Sequence, residues 1–257
     1  MSWVLLRGLT REARHWGALP QQIAKMLDQT TGLEAEPVLA LDLPGNGAFC
    51  ELASPRAVHA MVDFARQQLR AQGLAPPYCL LAMSLGGMVA VDWAQQYPHE
   101  VARLVLINTS LRAVSGVTER LRPQNWLSLV RLAARWHDAA QTEYVEQLIH
   151  RLTCIRLASR EADIAAWVAI RQNAPVSAAN AWRQLWAAAA FDGAAAPRCP
   201  VLVLSSKGDR LVNPRCSARL ARAWQAEHHE HPWAGHDLPH DDADWLCQRL
   251  DDWLGRP

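Results

Sequence analysis

The sequence predicts an α/β fold: a doubly wound, parallel sheet of about six strands, interrupted past its middle by a block of helices. Three observations predict it. Short apolar runs bounded by turn residues alternate with amphipathic stretches of helical spacing from Trp3 to Asn108. The same alternation resumes at Pro200 and continues to Leu254. Between Asn108 and Ala194 it lapses into a segment without a convincing strand that carries five tryptophans, Trp126, Trp136, Trp167, Trp182 and Trp186. Strands that are apolar on both faces need helices above and below them, and each parallel neighbour needs a helical return.

Trp3–Leu6 is the first strand, ended by Arg7-Gly8-Leu9-Thr10, and Trp16 to Asp28 follows as a helix with Leu19, Ile23 and Leu27 on one face. Pro37–Leu41 is the second strand, stopped by the dense turn signal Asp42-Leu43-Pro44-Gly45-Asn46-Gly47. Asp42 reads there as a turn residue that bonds local backbone. A helix over Val58–Leu69 leads to the third strand, Tyr78–Ala82, and a helix ending at Gln96 leads to the fourth, Val101–Asn108. After the helical block come a strand over Pro200–Ser205, a helix over Pro214–Ala226, a strand over His228–Trp233 and a closing helix over Asp241–Leu254. The division is therefore a core of residues 1–110 and 195–257 with a helical lid of residues 111–194, inserted where it would cover the C-terminal ends of the strands.

A chain of 257 residues suffices for one large core, and half of it is apolar. The net charge of +1 gives no global attraction to nucleic acid or to an anionic membrane. The apolar start, Trp3 to Leu6, is too short for a signal-peptide core, and no window approaches a membrane span. Six cysteines without CxxC spacing suit reduced thiols, so the expected location is cytoplasmic.

The chemistry concentrates at Ala82-Met83-Ser84-Leu85-Gly86-Gly87, where a strand meets a helix. Small residues two before and two after Ser84 permit strand and helix to cross closely, which lifts the hydroxyl above the sheet edge. A serine needs a base, and the base needs an orienting acid. Asp209 follows the fifth strand at Gly208, and His236 follows the sixth at Gly235, so Ser84, Asp209 and His236 fall in order on loops at one edge of the sheet.

These segments, together with Arg7-Gly8-Leu9 and Asp42–Gly47, resemble the α/β-hydrolase fold superfamily over essentially the whole chain. The helical lid is similar to that of small bacterial carboxylesterases, including the enzyme that cleaves the methyl ester of pimeloyl-acyl carrier protein. The resemblance implies Ser84 as nucleophile, His236 as base and then acid, Asp209 as the group that orients the imidazole, and the backbone N–H groups of Leu9 and Leu85 as oxyanion donors. It implies no cofactor and no metal. Two departures stand out: Arg7 occupies the place of the usual histidine before Gly8, and Ala82 that of the elbow's first glycine.

Other residues compete for these roles. His240 and the group His228, His229 and His231 compete with His236; the group alternates along a strand and reads as solvated surface. Asp237 adjoins the histidine and is badly placed to reach its ring, and Cys79 lies inside a strand. From Leu111 to Arg160 eight arginines face four acids, which reads as a solvated helical face or as a dock for an anionic partner such as acyl carrier protein. The functional expectation is a carboxylic ester hydrolase acting on a small-molecule ester. The alternatives are a hydrolase of acyl thioesters or carrier-linked esters, and a non-catalytic binding protein of the same fold. A carboxylate nucleophile is absent where Ser84 stands, which disfavours dehalogenase and epoxide-hydrolase chemistry.

Overall fold

A computed structural model describes residues 1–31 and 37–255. Its sheet has six strands, β1 (Ser2–Leu6), β2 (Val38–Leu41), β3 (Tyr78–Met83), β4 (Val101–Ile107), β5 (Val201–Ser206) and β6 (Glu227–His231), in the order β2-β1-β3-β4-β5-β6 with every neighbouring pair parallel. The helices of the core are α1 (Leu19–Thr31), α2 (Val58–Ala71), α3 (Leu85–Gln96), α9 (Arg215–Trp224), α10 (Leu238–Asp241) and α11 (Ala243–Leu254). Between β4 and β5 lie α4 (Val117–Arg120), α5 (Trp126–Arg135), α6 (Thr142–Thr153), α7 (Arg160–Asn173) and α8 (Ala178–Ala190), and no strand among the described residues.

The period of two in the central strands sorts the core into two layers. Val4, Leu6, Leu80, Ala82, Leu104 and Leu106 pack with Val58, Met61, Val62, Ala65 and Leu69 of α2, with α3 and with Leu220 of α9. The alternate positions, Trp3, Leu5, Cys79, Leu81, Met83, Val105 and Ile107, pack with Leu19, Ile23 and Leu27 of α1 and with Leu246, Leu250 and Trp253 of α11. Cys79 is thus a core residue. Strands buried on both faces are continuously apolar, and each fully buried Leu, Ile or Val contributes about 2 kcal/mol from its transfer out of water. β6 is the exception, reading Glu-His-His-Glu-His, because it forms one edge of the sheet.

The histidines of β6 correct one expectation. His231 is buried, its ring set edge-on between Trp233 and Trp245, each 4.8 Å away. Its Nδ1 accepts from the Ala234 N–H at 2.9 Å, and its Nε2 faces Asp242 at 3.1 Å. His229 shares its face but stays half-buried, as does His228 on the other face; His231 alone is covered, because it ends the strand where Trp233 and Trp245 close over it. Asp42 does hold backbone, accepting from Ala13 at 2.7 Å and Ala48 at 2.9 Å.

Candidate functional site

β3 runs without a spacer into α3, and Ser84 is the residue between them, at φ 54° and ψ −116°. A side chain other than glycine at positive φ is strained, and the strain persists here because both flanks are fixed. The Ser84 N–H donates to the Ile107 carbonyl of β4 at 3.0 Å, and the Ser84 carbonyl accepts from Met88 at 3.2 Å in the first turn of α3. Two glycines make the crossing possible. A methyl on Gly86 would collide with the carbonyl oxygens of Leu6 and Arg7, and one on Gly87 with Thr109. The first elbow position tolerates Ala82, which is wholly buried in the layer of α2 and α3.

The turn after β1 lies against the serine. A Cβ on Gly8 would fall 3.1 Å from Ser84 Cβ and 3.6 Å from Ser84 Oγ. The next residue is Leu9, so its amide lies in the turn that touches the hydroxyl. Leu85 N–H is in the first turn of α3, where backbone donors have no partner within the helix. Thr10, at φ 58°, donates its N–H to Gln184 Oε1 of α8 at 2.8 Å. Gln184 in turn donates to Asn46 Oδ1 at 3.0 Å and Ser54 Oγ at 2.9 Å, so α8 fixes this turn against the loop after β2.

Asp209 and His236 are brought together. His236 Nδ1 donates to Asp209 Oδ2 at 2.7 Å, with both side chains buried. The other carboxylate oxygen accepts from the N–H groups of Leu211 at 2.8 Å and Val212 at 2.9 Å, which fixes its rotamer. Arg122 of the helical insertion donates to the Asp209 carbonyl at 2.8 Å. Burial lowers the imidazole pKa, but the Asp209 charge and hydrogen bond, helped by Asp237, outweigh burial, and His236 sits above the ordinary value of 6.5. Among the described hydrogen bonds none joins Ser84 Oγ to His236. Such bonds are often loose before substrate binds.

Three residues outside the sequence expectation for the site, Asn108, Asp241 and Gln184, organise this edge. Asn108, at φ 46° at the end of β4, donates from Nδ2 to Ser206 Oγ at 3.0 Å and to the His236 carbonyl at 2.8 Å, bridging three strand ends. Its position immediately after an apolar strand was the available signal, since asparagine tolerates left-handed backbone. Asp241 accepts from Gly235 at 2.6 Å and from Ile155 at 2.9 Å, tying the histidine loop to the segment after α6. Gln184 carried no local signal. Asp237 does not reach the imidazole; it forms a two-pronged ion pair with Arg7, at 2.5 and 3.1 Å. His240 lies in α10 with its Nε2 donating to the His15 carbonyl at 3.0 Å, away from the acid. No group of three or more His, Cys, Asp or Glu among the described residues is arranged to hold a metal. No helix among them is long and apolar enough to cross a membrane.

Comparisons with known proteins give the same lineage. The family description "alpha/beta hydrolase fold" matches residues 9–243. RutD of Klebsiella pneumoniae (strain 342), which bears the name of a carbamate hydrolase, is 30% identical over 236 residues, covering 89% of this chain and 85% of its own. Among solved structures, the enol-lactonase of Burkholderia xenovorans LB400 superposes with a TM-score of 0.76 at 19% identity, covering 99% of this chain and 92% of that one. A thermophilic esterase from Thermogutta terrifontis superposes with a TM-score of 0.73 at 22% identity, covering 99% and 89%. A sheet of six parallel strands, a serine on a strained turn between strand and helix, and a family match over residues 9–243 make one assignment: the chain belongs to the alpha/beta hydrolase fold family.

Proposed function

We propose that the protein is a serine hydrolase of carboxylic esters. The observation that carries this reading is the Asp209–His236 hydrogen bond of 2.7 Å, set at the same sheet edge as a serine held at positive φ. With Nδ1–H engaged by the carboxylate, Nε2 is the free base. Ser84 Oγ attacks the ester carbonyl carbon as His236 Nε2 takes its proton. The carbonyl oxygen becomes an oxyanion facing the N–H groups of Leu85 and Leu9, each such donor stabilising the transition state by roughly 3 kcal/mol in serine hydrolases. The protonated His236 then gives its proton to the departing alkoxide, leaving an acyl group on Ser84. A water molecule, deprotonated by His236, attacks the acyl carbonyl; the carboxylic acid leaves and Ser84 regains its proton. Asp209 stabilises the imidazolium in both halves without taking the proton.

The helical insertion, residues 111–194, acts as the lid in this reading. Trp126, Leu127 and Val130 of α5 and Trp182, Leu185 and Trp186 of α8 keep exposed apolar faces, and such surface suits an acyl chain. The test is labelling with a fluorophosphonate followed by peptide mass spectrometry, with turnover of short p-nitrophenyl esters. Labelling at Ser84 and a fall in kcat of about 10⁵-fold or more in Ser84→Ala are expected. Labelling elsewhere, or full activity in that variant, refutes the assignment.

The similarity to RutD favours one second reading, hydrolysis of a carbamate. The same triad would attack a carbamate carbonyl, and the carbamoyl-serine would then have to be released by water. An aryl carbamate that turns over repeatedly supports that reading, and one that only stalls as a stable adduct on Ser84 supports the ester.

A further inference from the structure

We infer that Arg7 and Asp237 are a positioning pair for the catalytic loops, joining the serine elbow to the histidine loop and keeping the region beside the imidazole free of net charge. This rests on the reading of Ser84 and His236 given above.

One guanidinium reaches the neighbours of both residues. Arg7 Nη2 donates to Asp237 Oδ2 at 2.5 Å, and Nη1 donates to Asp237 Oδ1 at 3.1 Å and to Met83 Sδ at 3.5 Å. Asp237 follows His236, and Met83 precedes Ser84. Arg7 itself leads into Gly8, whose Cβ position lies 3.1 Å from Ser84 Cβ. The guanidinium also sits over the Trp16 ring, 4.8 Å from its centroid. Both members of the pair are buried, at 3% and 2% exposure, and a planar fork gripped at both carboxylate oxygens has one geometry. A histidine at position 7 would carry one bond where the arginine carries two.

The charges balance as well as the contacts. His236 is faced by Asp209 from the loop after β5, by Asp237 on its own loop and by Arg7 from the turn after β1. Asp237 is faced in turn by Arg7, by His240 of α10 and by Arg11 from the segment after β1. Asp241 of α10 is bound by the amides of Gly235 and Ile155, and Arg122 lies on the carbonyl side of Asp209. Asp237 pulls the imidazole toward protonation and Arg7 pushes the opposite way, so with both present Asp209 sets the balance. Burial opposes ionisation of Asp237, and the charge and hydrogen bonds of Arg7 together with the charges of His240 and Arg11 more than reverse that, holding the carboxyl well below the usual range.

The test compares wild type, Arg7→Met, Asp237→Asn and the double variant by thermal melting, by kcat and KM against pH, and by NMR titration of His236. Arg7→Met leaves an anion beside the imidazole, so the acid limb moves up by about one pH unit; Asp237→Asn leaves a cation, so it moves down by about as much. The double variant returns the limb to the wild-type position, with kcat lowered about tenfold and KM unchanged because the tether is lost. Coincident limbs in both single variants overturn the inference, and so does a double variant whose kcat stays within twofold of wild type. A buried charge left alone can unfold a protein, whereas removing both is often neutral, so the double variant decides if the single ones do not fold. Failure of the underlying reading looks different: wild type is then not labelled at Ser84, and the NMR titration alone still reports the opposed shifts or their absence.

Discussion

Replacing Asp209 by asparagine separates what the acid does for the fold from what it does for the reaction. Its Oδ1 accepts from the Leu211 and Val212 amides, at 2.8 and 2.9 Å, while Oδ2 accepts from His236 at 2.7 Å. An asparagine has one acceptor oxygen, and two fixed N–H donors claim it. Its NH₂ group is then turned toward His236 and donates to Nδ1, so the proton moves to Nε2 and the imidazole can no longer accept from Ser84. Loss of the base through the wrong tautomer costs serine hydrolases about 10⁴-fold in kcat, or about 5 kcal/mol of transition-state stabilisation. Folding should change little, because both backbone donors keep their acceptor. Asp209→Ala is the contrast: it orphans the buried Val212 N–H, at about 1–3 kcal/mol, and the half-buried Leu211 N–H, so its melting temperature falls as well. The assay is steady-state hydrolysis of a p-nitrophenyl ester alongside thermal denaturation of all three proteins. An asparagine variant within tenfold of wild-type kcat would refute the tautomer argument, and one that melts as early as the alanine variant would refute the assignment of the asparagine oxygen.

Further outcomes follow from the same geometry. The raised pKa of His236 places the acid limb of kcat/KM above 6.5, with activity falling as the pH drops through it. A profile whose limb lies below that value contradicts the balance of Asp209 against burial. For stability the sign is reversed: protonation of His236 favours the folded state, so this contribution is complete below pH 6.5 and is lost as pH rises through the folded pKa, narrowing the melting-temperature gap between wild type and His236→Ala. Gly8→Ala puts a methyl 3.1 Å from Ser84 Cβ, displacing the turn and lowering kcat about tenfold, whereas Gly86→Ala drives a methyl into two backbone carbonyls and should destabilise the fold by roughly 1–3 kcal/mol on melting. Gln184→Leu removes the acceptor of the Thr10 amide, and kcat should fall with KM little changed; unchanged kcat would separate α8 from the oxyanion turn.

The parts legible in the sequence are those encoded by local pattern. Val4 and Leu6 against Trp3 and Leu5 show why: a strand buried on both faces is written as an uninterrupted apolar run, and its period of two assigns the faces. The elbow was legible because only small residues fit where α3 crosses the turn after β1. Asp209 and His236 were legible as polar residues after glycines at strand ends, and the structure sets their rings and oxygens 2.7 Å apart. What local pattern could not supply was pairing at a distance. Arg7 and Asp237 are 230 positions apart, and nothing in either neighbourhood names the other. A signal for half of it existed: an arginine directly after a buried five-residue strand must find an anion or leave its charge stranded. For the arginines of the insertion, a count of charges does not say which are spent on carbonyl oxygens, as Arg120, Arg122 and Arg156 are.

That spending changes how the insertion relates to the site. Arg120 donates to the Ala188 carbonyl at 2.5 Å, Arg156 to that of Asp241 at 3.4 Å, and Arg171 and Arg11 converge on the buried Glu146, at 2.5 and 2.8 Å. Each loop of the candidate site is held by at least one residue of the inserted segment. Gln184 accepts from Thr10 beside Leu9, Arg122 donates to the carbonyl of Asp209, and the Thr153 carbonyl accepts from the Asp237 amide at 2.8 Å, one residue past His236. A cover that swung away as a unit would break all three, and with them the placing of Asp209, His236 and the turn after β1. α5 differs from the segments that make these bonds: its Trp126, Leu127 and Val130 face solvent and none of its residues is buried. Even α5 is tied at its ends, where Asn125 donates to the Arg210 carbonyl beside Asp209 and Trp136 donates to that of Val176 at 2.8 Å, so the inserted segment and the loops it covers are one packed unit.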